Sequence, residues 1–396
     1  MSGRPFAADF GPFGGRVWLN AAHQGPLPRP AVEALEEAVA MKRSPHAIED
    51  TDFLTVPREL REALGRLVGA PAKEVILGNS ASYGVQMLAQ SIRWKAGDEV
   101  LVVQGDFLAN IFPWLPFEDE GVGVRALEPR GSVVEPDELE EALSPRTRVF
   151  CTSWVSTFTG HLADLGGLGE VCRRHGVTFV VNATQGLGRR PLDVSALPLD
   201  ALTSAGYKWL CGPYATGFAW FHPRLVESLR PRQAYWLAMP DDVELDLNDE
   251  GDYELRPDLG ARAFDVFGTA NFFDFMPWRA SVSYLVERGI ERTAEHTDAL
   301  VRRLVGGLLE AGYEIAGPVD DPRLSIVVAS HPDRALNPEL HAALAEAGVD
   351  VALRAGNLRI APHLYNSAED IDRALEVLTG ALSRRRGAPA PARTGL

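Results

Sequence analysis

Residues 178–185 read Thr-Phe-Val-Val-Asn-Ala-Thr-Gln, an apolar run that leads directly into polar side chains. A continuous apolar run of this kind is typical of a strand that is buried on both faces of a parallel sheet. Asn182, Thr184 and Gln185 follow at its carboxyl end, where open α/β sheets bind their ligands. A simple strand-ending turn is the alternative interpretation, because asparagine favours turns in any context.

Similar apolar runs recur on both sides of this stretch, separated by patterns with the period of a helix. Leu165–His175 is one such helical pattern, and Gly176 is suited to end it in a left-handed conformation. This alternation predicts an α/β fold in which a mostly parallel sheet carries helices on both faces. The predicted strands are Val75–Leu77, Glu99–Val103, Arg148–Thr152, Thr178–Val181, Ala201–Ser204 and Gly217–Phe221.

The C-terminal third of the sequence predicts a smaller domain. Ile290–Ala311 is a long amphipathic pattern that leads into it, and Ser367 with Asp370 forms a capping box that opens a helix ending at Leu382. We expect an N-terminal segment at 1–30, a large domain at 31–270, a small domain at 271–383 and a disordered tail at 384–396. The acidic run from 241 to 252 predicts a solvated loop.

The composition argues against several classes of protein. A net charge of −15 opposes nucleic-acid binding, which needs a basic surface. The N-terminus does not resemble a signal peptide, and no window is apolar for long enough to span a membrane. Three cysteines without a CxxC pair fit a reducing compartment and no metal site. We therefore expect a cytoplasmic protein without membrane or metal binding.

Two turns carry the residues of chemical interest. Residues 204–213 read Ser-Ala-Gly-Tyr-Lys-Trp-Leu-Cys-Gly-Pro, and burial of Lys208 among these neighbours would lower its pKa and favour imine chemistry. Residues 78–84 read Gly-Asn-Ser-Ala-Ser-Tyr-Gly, and the backbone N–H groups of such a strand-to-helix turn can bind an anion. The alternatives are a solvated lysine and an ordinary serine N-cap.

Seven segments, which follow one another along the chain in the same order as in the family, together resemble the class V aminotransferase family of fold-type I pyridoxal 5′-phosphate (PLP) enzymes. That family includes cysteine desulfurases, selenocysteine lyases and isopenicillin N epimerase-like proteins. The resemblance implies PLP as cofactor, a seven-stranded large domain, a small C-terminal α+β domain and a homodimer with shared active sites. The segments are Val17–Ala22, Ser80–Gln86, Ala109–Trp114, Asn182–Gln185, Gly206–Trp209, Gly268–Asn271 and Leu358–Asn366.

The resemblance also implies roles for single residues. Lys208 would carry the cofactor as a Schiff base and act as the base at the substrate α-carbon. Arg359 would bind the substrate carboxylate, with Asn20 and His23 nearby and His46 as a further candidate. The remaining roles concern the cofactor: Ala81, Ser82, Tyr207 and, across a dimer interface, Thr269 for the phosphate, Phe107 for the ring face, Gln185 with Thr157 for the phenolate oxygen, and Asn182 for the pyridine nitrogen.

Asn182 stands where the family has aspartate. A neutral amide does not supply the charge that keeps the pyridine nitrogen protonated, and an ionic hydrogen bond in a dry site is worth about 1.5–3 kcal/mol. Transamination depends on a well-stabilised carbanion more than β-elimination does. We therefore expect a lyase acting on an L-amino acid or its conjugate, for instance by C–S cleavage. If water or neighbouring groups keep the ring protonated, the substitution is silent.

Desulfurases carry a nucleophilic cysteine on the loop before the carboxylate-binding arginine, and residues 354–358 contain none. This argues against a persulfide-forming desulfurase. An aminotransferase or an epimerase is the alternative reaction. A non-catalytic binding protein on the same fold is the alternative class, and the joint presence of Lys208, Gln185 and Arg359 argues against it. A dehydrogenase would need a GxGxxG turn, which the sequence lacks after its strands.

Overall fold

Strands and helices alternate along the chain in the computed structural model, which describes residues 6–235, 259–269 and 271–386. The helices are α1 (Arg29–Arg43), α2 (Asp52–Val68), α3 (Ala81–Ser91), α4 (Pro136–Ala142), α5 (Leu165–His175), α6 (Pro223–Ser228), α7 (Phe272–Arg288), α8 (Ile290–Glu310), α9 (Asn337–Glu346) and α10 (Ala368–Arg386). The strands are β1 (Val17–Trp18), β2 (Val75–Gly78), β3 (Glu99–Val103), β4 (Gly123–Leu127), β5 (Thr147–Ser153), β6 (Thr178–Asn182), β7 (Ala201–Ala205), β8 (Gly217–Phe221), β9 (Glu314–Ile315), β10 (Val327–Ser330), β11 (Val349–Asp350), β12 (Ala352–Arg354) and β13 (Asn357–Ile360).

The central sheet has seven strands in the order β2-β8-β7-β6-β5-β3-β4. The strands from β7 to β4 in this order are parallel to their neighbours, whereas β8 runs antiparallel to both β7 and β2. The α/β class and the mostly parallel seven-stranded sheet are thus confirmed. Each of the six predicted strands is present and ends within one residue of its predicted bounds.

Two predicted helix boundaries are confirmed by their capping contacts. Gly176 ends α5 with a φ of 67°, in the left-handed region. At the start of α10, the amide of Ser367 donates to Asp370 Oδ2 over 3.0 Å and the amide of Asp370 donates to Ser367 Oγ over 3.3 Å. The helix extends past Leu382 to Arg386, and the rest of the predicted tail lies outside the described residues, as does the acidic run from 241 to 252.

A second hydrophobic core lies between the sheet β12-β13-β10-β9 and the helices α8 and α10. Helix α7 does not belong to it, because Phe275, Trp278 and Leu285 are buried in the core of the large sheet. α7 also packs against α1 and α2. This packing favours a domain boundary at Gly289, between α7 and α8, over a boundary near residue 270.

The N-terminal segment joins the two units. β1 pairs in parallel with β11 of the small unit, and Asn20 forms an isolated bridge with Ala361. Further along, the amide of Gly25 donates to the carbonyl oxygen of Tyr207 over 2.9 Å. A Cβ atom at Gly25 would lie 2.1 Å from the carbonyl oxygen of Lys208, so only glycine allows this close approach. None of the helices in the described ranges is long and apolar enough to cross a bilayer.

Candidate active site

The residues of chemical interest converge at the carboxyl ends of the central parallel strands. Asn182 ends β6 and lies between Ser153 of β5 and Thr203 of β7. Lys208 follows β7 in a turn that is closed by a hydrogen bond from the amide of Gly212 to the carbonyl oxygen of Gly206. This edge of the sheet is where the sequence places a ligand site.

Lys208 is buried, with 8% of its surface exposed. Burial, together with the positive charges of Arg359 and Arg354, lowers the pKa of its amine to about 8. Its Nζ atom lies 5.2 Å from the centre of the Phe107 ring and 6.0 Å from the centre of the Tyr207 ring. The structure therefore brings together a lysine with a substantial neutral fraction at mildly alkaline pH, a flat aromatic face and two arginines.

The N-terminus of α3 offers an anion site. Ser80 is the N-cap and accepts a hydrogen bond from the amide of Tyr83 over 3.1 Å. The amides of Ala81 and Ser82 come before that of Tyr83 in the first turn of α3. They have no acceptor within the helix, so they can bind a phosphate. Gly217 lies against this turn, and a Cβ atom there would come within 2.5 Å of the backbone of Ser80.

The amide of Gln185 has a fixed orientation. Its Oε1 atom accepts from the indole N–H of Trp209 over 2.8 Å, and its Nε2 atom donates to the carbonyl oxygen of Ala22 over 3.0 Å. Because an indole N–H only donates, it fixes which end of the amide carries oxygen. The second Nε2 hydrogen remains for an acceptor in the site, which suits a phenolate oxygen.

Asn182 is linked through Asn110 to a carboxylate. Asn182 Nδ2 donates to Asn110 Oδ1 over 2.8 Å, and Asn110 Nδ2 donates to Asp106 Oδ2 over 2.7 Å. Asn182 Oδ1 accepts from the amide of Thr184 over 3.1 Å. The carboxyl group of this network therefore lies two hydrogen bonds from Asn182, and burial raises the pKa of Asp106. The group that ends β6 is itself neutral.

Arg359 presents a guanidinium edge without a protein partner. Its Nη1 atom donates to Thr157 Oγ1 over 2.6 Å, whereas its Nε atom is buried and has no hydrogen bond within the described residues. Burial lowers the pKa of Arg359 to about 10, with Arg354 as a second cause. A buried guanidinium edge without a carboxylate suits a carboxylate ligand. Thr157 thus positions Arg359, and its contact with the phenolate oxygen remains a prediction.

Asn20 and His23 lie at the same end of the site. The Oδ1 atom of Asn20 is buried and has no partner in the described part of the chain, which leaves an acceptor for a ligand. Burial lowers the pKa of His23, and the charges of Arg354, Arg359 and Lys208 lower it further. His23 is therefore mainly neutral near pH 7. It lies close enough to Arg354, Arg359 and Lys208 for their charges to act on it.

The remaining predicted site residues, Tyr207, Thr269 and His46, make fewer contacts with the residues described above. Tyr207 lines a cavity of about 600 Å³ together with Trp18, Gln24 and Phe273. Thr269 is buried, and its amide donates to the hydroxyl of Tyr235 over 3.2 Å. The contact of Tyr207 with the phosphate and that of Thr269 across a dimer interface remain predictions. His46 lies on an exposed turn at Pro45–Ala47.

The three cysteines of the chain, Cys151, Cys172 and Cys211, are buried. Burial raises the pKa of Cys151, Cys172 and Cys211 well above that of a free thiol. A buried, protonated thiol is a poor nucleophile, which disfavours all three as nucleophiles. Among the described residues, no group of three or more His, Cys, Asp and Glu side chains is arranged to hold a metal ion.

Several contributors to the site were not found from the sequence. Trp209, Asp106 and Asn110 act through hydrogen bonds to Gln185 and Asn182, and nothing in their spacing indicates those partners. Asp106 had a usable signal, because it directly precedes Phe107 in the loop that follows β3. The observed donors nevertheless fit PLP: an anion site at α3, an aromatic face, a donor for the phenolate oxygen and a buried amine.

Comparison with known proteins gives a consistent picture. The model of the aminotransferase class-V family matches residues 27–373. A probable cysteine desulfurase of Methanothermobacter thermautotrophicus is 27% identical over 91% of this chain and 94% of its own length. Isopenicillin N epimerase of Streptomyces clavuligerus is 31% identical over 92% of this chain and 95% of its own. A solved variant of C-DES with glycine covalently linked to the PLP cofactor shares the fold, with a TM-score of 0.86, 19% identity and coverage of 95% and 99%.

Proposed function

The chain belongs to the class-V aminotransferase family, and on that premise we propose that it is a PLP-dependent lyase that cleaves β-substituted L-amino acids. PLP is its cofactor, and the donor set described above fits that group. The observation that carries the lyase assignment is the neutral Asn182 at the end of β6, with the carboxyl group of Asp106 two hydrogen bonds away.

The groups of the candidate active site each have a defined role in this reaction. The α3 amides hold the phosphate, and the second Nε2 hydrogen of Gln185 binds the phenolate oxygen. Arg359 binds the substrate carboxylate with its Nε edge, which places the α-carbon near Lys208. When bound, PLP withdraws electron density from the α-carbon. Lys208 is the attachment point in the resting enzyme, and its amine accepts the α-proton once substrate has replaced it.

For a cysteine conjugate, the proposed reaction breaks the Cβ–S bond. It involves no net oxidation or reduction of the substrate. R–S–CH2–CH(NH3⁺)–COO⁻ and water give R–SH, pyruvate and ammonium. The α-proton passes to Lys208, and the sulfur leaves with the electron pair of the Cβ–S bond. Neither a thiol nucleophile nor an external oxidant is required, which agrees with the burial of all three cysteines.

An epimerase is the second candidate. It is favoured by the 31% identity with isopenicillin N epimerase and by His23, a titratable group close to Lys208. Epimerisation requires proton return to the opposite face of the α-carbon, and a second titratable group near the site suits that task. An aminotransferase remains the third possible reaction of this site.

Incubation of the holoenzyme with S-alkyl-L-cysteines distinguishes these reactions. We expect pyruvate, ammonium and thiol in equal amounts, without addition of a keto acid. Release of the D-enantiomer, detected by chiral chromatography, would instead identify an epimerase. Amino transfer that requires a keto acid acceptor, with no thiol released, would overturn the lyase proposal.

Asn182→Asp is expected to shift the enzyme from elimination towards amino transfer. A carboxylate beside the pyridine nitrogen stabilises its protonated form, and the charged hydrogen bond is worth about 1.5–3 kcal/mol, or roughly 10- to 100-fold in rate. The measurement is the ratio of keto-acid-dependent amino transfer to thiol release, by the variant and by wild type. An unchanged ratio would mean that neighbouring groups already keep the ring protonated.

The lowered pKa of Lys208 predicts the pH dependence of cofactor loading. The amine must be neutral to form its covalent bond, and its pKa is about 8 rather than 10.5. We expect the rate at which the apoprotein takes up PLP to rise with pH, with a midpoint about 2.5 pH units below that of a free lysine. Stopped-flow absorbance between pH 6 and 10 measures this rate. A midpoint near 10.5 would contradict the burial of the amine.

We also propose a cytoplasmic homodimer. Leu108, Phe112 and Phe267 are more than half exposed, and Phe107 beside Lys208 is 45% exposed. Large exposed apolar side chains next to a site are typical of a surface that a partner subunit covers. In this arrangement Thr269 of one subunit would contribute to the phosphate site of the other.

A further inference from the structure

The hairpin of β12 and β13 carries two arginines on one face. Ala352 pairs with Arg359 and Arg354 pairs with Asn357. Paired residues of antiparallel strands share a face, and so do residues two apart along a strand. Arg354 and Arg359 are therefore diagonal neighbours, with Cβ atoms about 7 Å apart.

This face of the hairpin is turned towards the active site. The opposite face carries Leu358 and Ile360, which are buried in the core of the small unit. Arg359 leaves the hairpin on the other side and reaches Thr157 of the large unit. Arg354 lies on that same side, and its charge contributes to lowering the pKa values of Lys208, Arg359 and His23.

The position of Arg354 is fixed by a tight turn. Ala355 and Gly356 have φ values of 48° and 75°, so both adopt the left-handed conformation of a two-residue hairpin connection. The carbonyl oxygen of Gly356 accepts from Asn337 Nδ2 over 2.7 Å, which holds the turn on the small unit. Arg354 thus stands at a defined point at the exposed mouth of the site.

Arg354 has no acidic partner among the described residues, and its Nη1 atom donates to the carbonyl oxygen of Leu353 over 3.2 Å. The two charged groups that shift the pKa of Lys208 are both arginines. A pair of arginines without a carboxylate is notable in a chain whose net charge is −15. This local excess of positive charge favours a ligand with two negative groups.

We propose that Arg354 binds a carboxylate on the side chain of the substrate, so that the enzyme acts on amino acids with a second, distal acid. The inference rests on the proposed function, because it assigns the α-carboxylate to Arg359. The two guanidinium groups then bind the two ends of one substrate, and the α-carbon lies between them near Lys208. A neutral side chain of the same length leaves Arg354 without a partner.

Two cysteine conjugates of similar length test this proposal on the holoenzyme: S-(2-carboxyethyl)-L-cysteine and the uncharged S-butyl-L-cysteine. Their dissociation constants are measured from the change in cofactor absorbance, and thiol release gives KM and kcat. We expect the wild-type enzyme to bind the acidic conjugate about ten-fold more tightly. Arg354→Gln is expected to remove this preference by weakening the acidic conjugate alone.

Arg334→Gln is the matched control. Arg334 is an exposed arginine that donates to Asn357 Oδ1 over 2.8 Å, next to the same hairpin, and it is not among the groups that shift the pKa of Lys208. We expect this variant to keep the wild-type preference. Raising the salt concentration should reduce the preference of wild type and Arg334→Gln, and have no effect on that of Arg354→Gln.

Each other outcome has a definite meaning. If wild type binds both conjugates equally, or if Arg354→Gln weakens both to the same extent, the proposal is wrong while the lyase assignment stands. Loss of the preference in Arg334→Gln as well would assign it to the general charge of the surface and would also overturn the proposal. If neither conjugate changes the cofactor absorbance, the proposed function fails, and this inference fails with it.

Discussion

Replacing Lys208 with alanine is expected to abolish turnover and to remove the covalent bond between protein and cofactor. A general base alone contributes roughly 10²- to 10⁴-fold to such a reaction, and Lys208 is both the base and the attachment point in the proposed function. The amine is 8% exposed and its pKa is about 8, so a solvent amine does not readily replace it. Steady-state release of thiol and pyruvate measures the first effect.

Borohydride reduction followed by peptide mapping measures the loss of the covalent bond between protein and cofactor. In the wild-type holoenzyme, the reduced cofactor should be found on the peptide that contains Lys208, and in Lys208→Ala on no lysine peptide. Lys73→Ala, which replaces an exposed lysine just before β2, is the matched control and should be labelled like wild type. Labelling of another lysine in the wild-type protein would overturn the assignment of both cofactor and site.

Replacing Arg359 with glutamine is expected to raise KM by roughly 30- to 5000-fold. Removing one partner of a buried, hydrogen-bonded charge pair costs about 2–5 kcal/mol, and Arg359 is 3% exposed with a free Nε edge. The KM of Arg359→Lys should lie between those of wild type and Arg359→Gln. Lysine keeps a positive charge but cannot bind a carboxylate through two parallel hydrogen bonds. The measurement is KM and kcat with one conjugate under identical conditions.

The effect of Arg359→Gln should also depend on the ligand. An amine that lacks the α-carboxylate should be bound equally by wild type and variant, because it makes no use of the guanidinium. Equal weakening of both ligands would indicate that Arg359 supports the fold through Thr157 rather than binding the substrate. A KM within two-fold of wild type would contradict the proposed role directly.

The strands that could be predicted are those whose burial on both faces makes them continuously apolar. β4 escaped prediction because it lies at the edge of the sheet, and Gly123 and Ala126 within it are exposed. The antiparallel course of β8 could not be read from its sequence either, since an apolar run of five residues has the same composition in both directions. Only the pairing with β2 and β7 reveals it.

The site residues found from the sequence are those to which the family resemblance assigns a role, within its segments or close to them. Lys208, Phe107 and Arg359 were expected near one another, and the structure brings them together. Hydrogen-bond partners such as Trp209 for Gln185 could not be predicted, because side-chain orientation depends on packing between distant segments. Arg354 is a similar case: its significance follows from the register of a hairpin, which the sequence alone does not define.

The pairing of β1 with β11 separates the order of synthesis from the order of assembly. Val17 and Trp18 leave the ribosome early, but their partners Val349 and Asp350 are made more than 300 residues later. The large sheet can form while the chain is still growing, since all its strands precede residue 222. Asn20, which completes the pocket through its bridge with Ala361, can take its final place only once translation is nearly finished. A nascent chain therefore acquires its scaffold first and its substrate-binding end last.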